Sequence, residues 1–104
     1  MNVPLLSSEK STNICVPKYH GWHEIHIASY EGNYNEVLKL LKNDAFVSPV
    51  DVFGKTPLHY ARRRKYGKKN DRVAELLIKY GADDNNEIDK LGRSPYDIYL
   101  RYNK

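Results

Sequence analysis

The sequence contains a single cysteine, and no apolar run in it is long enough to cross a lipid bilayer. Cys15 has no second cysteine with which to form an internal disulfide, so packing and hydrogen bonds have to hold the fold. The first residues show no basic flank followed by an apolar signal segment. We therefore expect an intracellular protein, cytoplasmic with the nucleus as an alternative, that does not use a membrane as its partner.

The sequence also has no glycine-rich phosphate loop, no serine nucleophile elbow and no pattern of paired buried carboxylates. His20, His23 and His26, with Cys15 upstream, are residue types that bind zinc. Their spacing keeps them together only on a continuous helix, whereas this segment is expected to pass from a loop into a helix. We expect no enzyme activity, cofactor, metal site or small-molecule substrate.

What the sequence does contain is an internal repeat. The segment from Ile25 to Ser29 returns as Leu58 to Arg62, a shift of about 33 residues. Downstream of each copy, apolar residues stand at positions i, i+3 and i+4, which predicts one apolar stripe on each of two short helices. These residues are Val37, Leu40 and Leu41, then Val73, Leu76 and Leu77. Each stripe needs a neighbour to cover it.

Turn and cap residues recur around these helices. Asp51 with Gly54, and Asp89 with Gly92, suit the first and fourth places of a type I turn. Thr56 followed by a proline predicts the start of a helix.

Further residues typical of helix ends follow Thr56. His59 follows Thr56 by three residues, which places its ring near the cap. Ser94 and Asp97 repeat a capping box, and Gly81 is expected to end a helix in a left-handed conformation.

Two segments, Asp51–Ala61 (DVFGKTPLHYA) and Val73–Asp83 (VAELLIKYGAD), resemble the ankyrin repeat family. The resemblance implies an all-α solenoid of stacked helix–turn–helix units with short β-hairpin fingers. The copies predict a repeat domain at residues 18–104, with repeats at about 18–50, 51–88 and, in part, 89–104. Residues 1–17 show no period and contain several serine and proline residues, which predicts an N-terminal arm. The alternative for the arm is that its apolar residues cover the first repeat.

The copies also depart from the family pattern. In the first copy Lys18 replaces the turn aspartate, and His23 stands in the place of the cap threonine, which puts that cap in question. The second copy carries about four extra residues within Lys65–Asn70, which predicts a projecting basic loop. The third copy stops after its first helix, with Tyr99 where the family prefers a small residue.

In ankyrin folds the partner usually lies in the concave groove between the fingers and the inner helices. The resemblance carries this role to Tyr19, His20, Trp22, Val52, Phe53, Lys55, Lys90, Leu91 and Arg93 in the fingers and to Tyr30, Glu31, Arg63 and Arg64 in the inner helices. Aromatic residues and arginine dominate binding hot spots. We predict a protein-binding module, an adaptor or an inhibitor, for an acidic and apolar partner segment. The alternative is that the finger aromatics only pack sideways onto the next finger.

The chain has a net charge of +4, and its positive charge is densest in one span: Arg62, Arg63, Arg64, Lys65, Lys68, Lys69 and Arg72. Three interpretations stay open: a solvated helix end where cations complement the helix dipole, a site for an acidic protein, or a nucleic-acid or nuclear-import site. A separate alternative is docking of the third repeat onto another chain through Tyr96, Tyr99, Leu100 and Tyr102, with the oligomeric state left open.

Overall fold

A computed structural model describes residues 21–102. Within that range there are five α-helices: α1 Glu24–Glu31, α2 Tyr34–Lys42, α3 Pro57–Arg62, α4 Lys68–Lys79 and α5 Pro95–Tyr102. α3 packs between α1 and α5 to form an inner row, and α2 packs against α4 to form an outer row. This arrangement confirms the predicted all-α solenoid.

The two predicted apolar stripes lie in one core. Val37, Leu40 and Leu41 of α2 and the matching residues of α4 are buried together with Leu58 of α3. Each such side chain contributes about 1.5–3 kcal/mol when it is removed from water. Ala61 of α3 belongs to the same core and is fully buried, so the inner and outer rows lie close together.

The fingers are tight turns, and residues 21–102 contain no continuous β-strand. In the first finger described, the N–H of Asp51 donates to the carbonyl of Lys55 at 3.0 Å, and in the next the N–H of Asp89 donates to Arg93 at 2.9 Å. The N–H of Gly54 and that of Gly92 each donate to the aspartate carbonyl of the same turn at 3.0 Å. Two backbone bonds in each turn are too little pairing for the expected hairpin strands.

Histidines fix the helix starts and also join adjacent repeats. The backbone N–H of Thr56 donates to Nδ1 of His59 at 2.9 Å, and Nε2 of the same ring donates to the carbonyl of Arg93, also at 2.9 Å. In the first copy the backbone N–H of His23 donates to Nδ1 of His26. Although His23 replaces the threonine at this helix start, the hydrogen bond is kept. Its donor is the backbone N–H of His23, so it does not need a threonine side chain. Burial lowers the pKa of His26 and of His59, so both rings are held neutral.

The other predicted helix ends are confirmed. Asp97 accepts a hydrogen bond from the N–H of Ser94 at 3.0 Å, and Ser94 Oγ accepts one from Asp97 at 3.1 Å. Beyond α4, Gly81 has a φ of 111°, a positive value that an L side chain rarely adopts.

The predicted projecting loop is wrong in its extent, because Lys68 and Lys69 already belong to α4. The reason is Asn70, whose buried side chain ties the insertion to the first repeat. Its Nδ2 donates to the carbonyl of Ser29 at 2.8 Å, and its Oδ1 accepts from the N–H of Tyr66 at 2.6 Å. The inserted residues therefore lengthen the helix.

The predicted arm at residues 1–17 lies outside the described residues, as do Tyr19, His20 and Cys15. Within residues 21–102, every helix is too short or too polar to span a bilayer.

Candidate functional site

Four aromatic side chains from α1, α3 and the segments next to them form a cluster; we call it the inner-face cluster. It consists of Trp22, Tyr30, Tyr60 and Tyr66. The Trp22 ring lies 4.8 Å from that of Tyr60 and 5.8 Å from that of Tyr30, and Tyr66 lies 6.4 Å from Tyr30. Edge-to-face pairs of this kind add about 0.5–1.5 kcal/mol beyond the burial of their area. The cluster links the first repeat to the second.

A buried carboxylate, Asp51, holds this cluster in place. Its Oδ2 accepts hydrogen bonds from Trp22 Nε1 at 3.0 Å and from the hydroxyl of Tyr60. Its Oδ1 accepts from the N–H groups of Phe53 and Lys55, both at 2.9 Å. Burial, followed by the hydrogen bond to Asp51, raises the pKa of Tyr60 well above its ordinary value. Trp22, predicted as a binding residue, is therefore fixed by hydrogen bonds within the chain.

Asp89 occupies the equivalent position in the next finger, but cations replace the aromatic donors. Its Oδ1 accepts from the N–H groups of Leu91 and Arg93, both at 2.9 Å, while Lys55 Nζ and Arg93 Nε lie 3.4 and 3.3 Å from its Oδ2. Burial acts to raise the pKa of Asp89, yet these hydrogen bonds and charges hold it below its ordinary value. Lys55 and Arg93 thus have a partner inside the chain.

Arg63 lies over the inner-face cluster, between two tyrosine rings. Its guanidinium carbon is 5.9 Å from the ring centre of Tyr30 and 5.1 Å from that of Tyr102. Lys65 Nζ is also 5.9 Å from the Tyr30 ring. Arg63 is exposed, and stacking on ring faces leaves the in-plane N–H donors of a guanidinium able to bind a carboxylate. The structure therefore brings together two predicted site residues, Tyr30 and Arg63.

The finger tips form a second group of predicted residues: Val52, Phe53, Lys90 and Leu91. The side chains of Val52, Phe53 and Leu91 are 51%, 46% and 75% exposed. The tips contact each other through the backbone, since the N–H of Lys90 donates to the carbonyl of Phe53 at 3.0 Å. Gly54 permits this contact, because a Cβ there would lie 3.0 Å from the Lys90 nitrogen. The contact between neighbouring finger tips thus uses the backbone and leaves the apolar side chains at the surface.

The basic span is divided by ion pairs. Arg62 binds Asp84 through two hydrogen bonds of 2.9 and 2.6 Å, and Arg64 binds Asp71 through two of 2.7 and 3.0 Å. The remaining cations do not share one helix end, because Lys68, Lys69 and Arg72 lie near the start of α4. The helix-dipole interpretation therefore fits the arginine that ends α3 and not the cations of α4.

Glu31, predicted for the groove, lines a separate cleft with Lys69 and Arg72. On α5, Tyr96, Leu100 and Tyr102 are exposed, and Tyr99 stacks on Tyr96 with ring centres 6.2 Å apart.

Both ring nitrogens of His26 already make hydrogen bonds, to the N–H of His23 and to the carbonyl of Lys55. Across residues 21–102, no three His, Cys, Asp or Glu side chains are grouped so that they could hold a metal ion.

Sequence reasoning missed several contributors to the site, among them Tyr60, Tyr66, Asp84 and Asn70. Tyr60 was part of a repeat motif, and Asp51 was assigned only a turn role. Trp22 and Asp51 are 29 residues apart and the Asn70 bond to Ser29 spans 41, so no local pattern signals either contact.

A family model described as ankyrin repeats, in three copies, matches residues 3–99. The chain belongs to the ankyrin repeat family. That match includes most of the segment predicted as an arm, and the arm itself stays a prediction. The repeats confirm the resemblance seen in the sequence.

Two relatives extend the comparison. The ankyrin repeat and LEM domain-containing protein 1 homolog of Caenorhabditis elegans is 37% identical over 82 residues, 79% of this chain and 11% of the relative. An ankyrin repeat protein of Rickettsia bellii (strain RML369-C) is 35% identical over 85 residues, 76% of this chain and 48% of the relative. The chain thus spans about half the length of one relative and about a tenth of the other.

Proposed function

We propose that this chain binds a partner protein through the groove formed by its inner helices and finger tips. Ankyrin repeats are in general protein–protein interaction modules, and they are typically non-catalytic. The segment bound there carries acidic and apolar side chains. A chain that binds in this way would act as an adaptor, or as an inhibitor that masks the partner's surface.

The observation that carries the proposal is the placement of Arg63 between Tyr30 and Tyr102. Stacking limits the freedom of its side chain before any partner arrives, so less entropy is lost when a carboxylate binds. The adjacent Lys65 adds a second positive charge. This arrangement supports an acidic residue as the central contact.

The exposed finger side chains support the apolar half of the segment. Phe53 and Leu91 stand on neighbouring tips that are joined by a backbone hydrogen bond, so they form one fixed surface. In this proposal Trp22, Lys55 and Arg93 position the groove, since Asp51 and Asp89 hold them. Arg63, Phe53 and Leu91 make the contacts.

Binding of nucleic acid receives less support. Arg62 and Arg64 are held by Asp84 and Asp71, which removes two cations from the span that suggested it. Non-specific nucleic-acid binding depends on the number of phosphates that free cations neutralise.

A matched pair of double variants tests the proposal. Phe53→Ala with Arg63→Gln removes one apolar and one charged contact. Ile78→Ala with Lys79→Gln makes the same chemical changes on the exposed side of α4. Both variants are checked by circular dichroism and used, with the native chain, to capture proteins from a matched cell extract.

We expect a partner that the native chain and the α4 variant retain and the groove variant loses. Its purified form is then titrated, and we expect at least about a tenfold weaker affinity for the groove variant, since charged hydrogen bonds contribute about 1.5–3 kcal/mol. Equal retention by all three proteins would exclude the groove.

A further inference from the structure

The inserted residues of the second repeat create a cleft that the groove does not include. α4 has 12 residues whereas α2 has 9, and the start of α4 lies beside the turn between α1 and α2. Gly32 makes this approach possible, because a Cβ there would lie 2.9 Å from the Cβ of Lys69. Asn70 ties the same two segments through Ser29. The walls of the cleft are therefore fixed relative to each other.

The cleft has a volume of about 500 Å³ and is open on one side. One wall comes from the α1–α2 turn and the start of α2, and includes Tyr34 and Asn35. The other wall comes from α4 and provides Lys69 and Arg72. The guanidinium carbon of Arg72 lies 4.8 Å from the Tyr34 ring centre, so this arginine is held against one wall.

Within the part of the chain described, the two cations of this cleft are not neutralised by an ion pair, although Arg72 stacks on Tyr34 and Glu31 lines the same cleft. Across residues 21–102, neither Lys69 nor Arg72 forms an ion pair. Lys69 also lies in the first turn of α4, where the positive end of the helix dipole disfavours a cation. The helix dipole of α4 therefore does not account for Lys69, and both cations remain able to bind an anion.

A second, acidic cleft adjoins the first and shares Glu31 with it. It has a volume of about 210 Å³ and is lined by Glu24, Glu31 and Glu36 together with Ile27 and Ala28. A positive cleft and a negative cleft thus lie side by side.

We propose that the two clefts together bind a segment of a partner protein in which an anionic side chain lies close to a cationic one. The anion, a carboxylate or a phosphoryl group, contacts Lys69 and Arg72, and the planar guanidinium suits either group. The cation contacts the three glutamates. Nucleic acid fits poorly, because its repeated phosphates would face those glutamates.

This site does not depend on the groove proposed above, because none of its lining residues belongs to the inner-face cluster or the finger tips. A variant of one site therefore leaves the other intact, and the two proposals fail separately.

Nuclear magnetic resonance titration of the full chain tests the site. The probes are inorganic phosphate, a short peptide with glutamate followed by arginine, the same peptide with phosphoserine, an all-acidic peptide and a short oligothymidylate. Lys69→Gln with Arg72→Gln removes the cations of the cleft. The control, Lys39→Gln with Lys42→Gln, removes two exposed cations from the end of α2.

We expect the mixed-charge peptides to shift the amide signals from Gly32 to Asn35 and near Lys69. The cleft variant should bind them at least about tenfold more weakly, and the control within about twofold. The two mixed-charge peptides show whether the anion is a carboxylate or a phosphoryl group.

Three results would overturn the proposal. In the first, no signal at the cleft shifts, or both variants lose affinity equally. In the second, inorganic phosphate or the all-acidic peptide binds as tightly as the mixed-charge peptides, which leaves a site for a simple anion. In the third, the oligothymidylate binds more tightly than either mixed-charge peptide.

Discussion

Replacement of Tyr60 by phenylalanine removes one oxygen atom from the centre of the inner-face cluster and leaves the ring. That hydroxyl donates to Asp51 and accepts from Trp22 Nε1 at 3.1 Å. The indole keeps its bond to Asp51, so the loss is mainly the bond from the hydroxyl to the buried carboxylate. A hydrogen bond to a charged group contributes about 1.5–3 kcal/mol, and we expect Tyr60→Phe to lower the free energy of unfolding by about 2 kcal/mol.

Urea denaturation at neutral pH measures this loss. The chain has one tryptophan, Trp22, so its fluorescence reports on the cluster itself while circular dichroism reports on the helices. The control is Tyr102→Phe on the exposed face of α5, which we expect to change stability by less than about 0.5 kcal/mol. In a domain of this size 2 kcal/mol corresponds to a fall in Tm of roughly 8–16 °C.

A loss below about 0.5 kcal/mol in Tyr60→Phe would refute the reasoning, because it would place the Asp51 bond among those with no net effect. Two separate transitions, one by fluorescence and one by circular dichroism, would show instead that the cluster unfolds apart from the core.

Two further predictions concern stability. Burial lowers the pKa of His26 and His59 below the ordinary value of 6.5, so the unfolded chain binds more protons than the folded chain near that pH. The contribution of the two neutral rings to stability should be complete above pH 6.5 and should decline as the pH falls below it. Urea midpoints at neutral and mildly acidic pH measure this change, and a flat profile would contradict it. Gly32→Ala should destabilise the chain by at least about 1 kcal/mol more than Gly92→Ala. Both glycines have positive φ, but only at Gly32 would the added Cβ clash with Lys69. Equal melting temperatures of the two variants would contradict the close packing.

Much of the fold was predictable because its signals are local. The spacing of Val37 and Leu40 shows an apolar face over little more than one helical turn. Thr56, Pro57 and His59 mark a helix start within four residues. These patterns are set by backbone geometry and by hydrogen bonds between near neighbours, so they can be recognised without tertiary structure.

The site was predictable only in part. The resemblance selected Arg63, Phe53 and Leu91, which the structure leaves exposed. It also selected Trp22 and Lys55, whose partners are Asp51 and Asp89. A sequence pattern shows which positions belong to fingers, but not whether a neighbouring repeat has already engaged the side chain.

The sequence by itself indicated the repeat, most of its helices and caps, and the order in which they stack, because the residues that carry these signals lie a few positions apart within each copy. Tertiary structure alone decided which charges stay available. The bond from Asn70 to Ser29 converts part of a predicted loop into an extra turn of α4, and the ion pair with Asp84 occupies Arg62. The physical reason is that stacking of the repeats brings together side chains that are far apart along the chain, so local sequence patterns do not reveal these contacts.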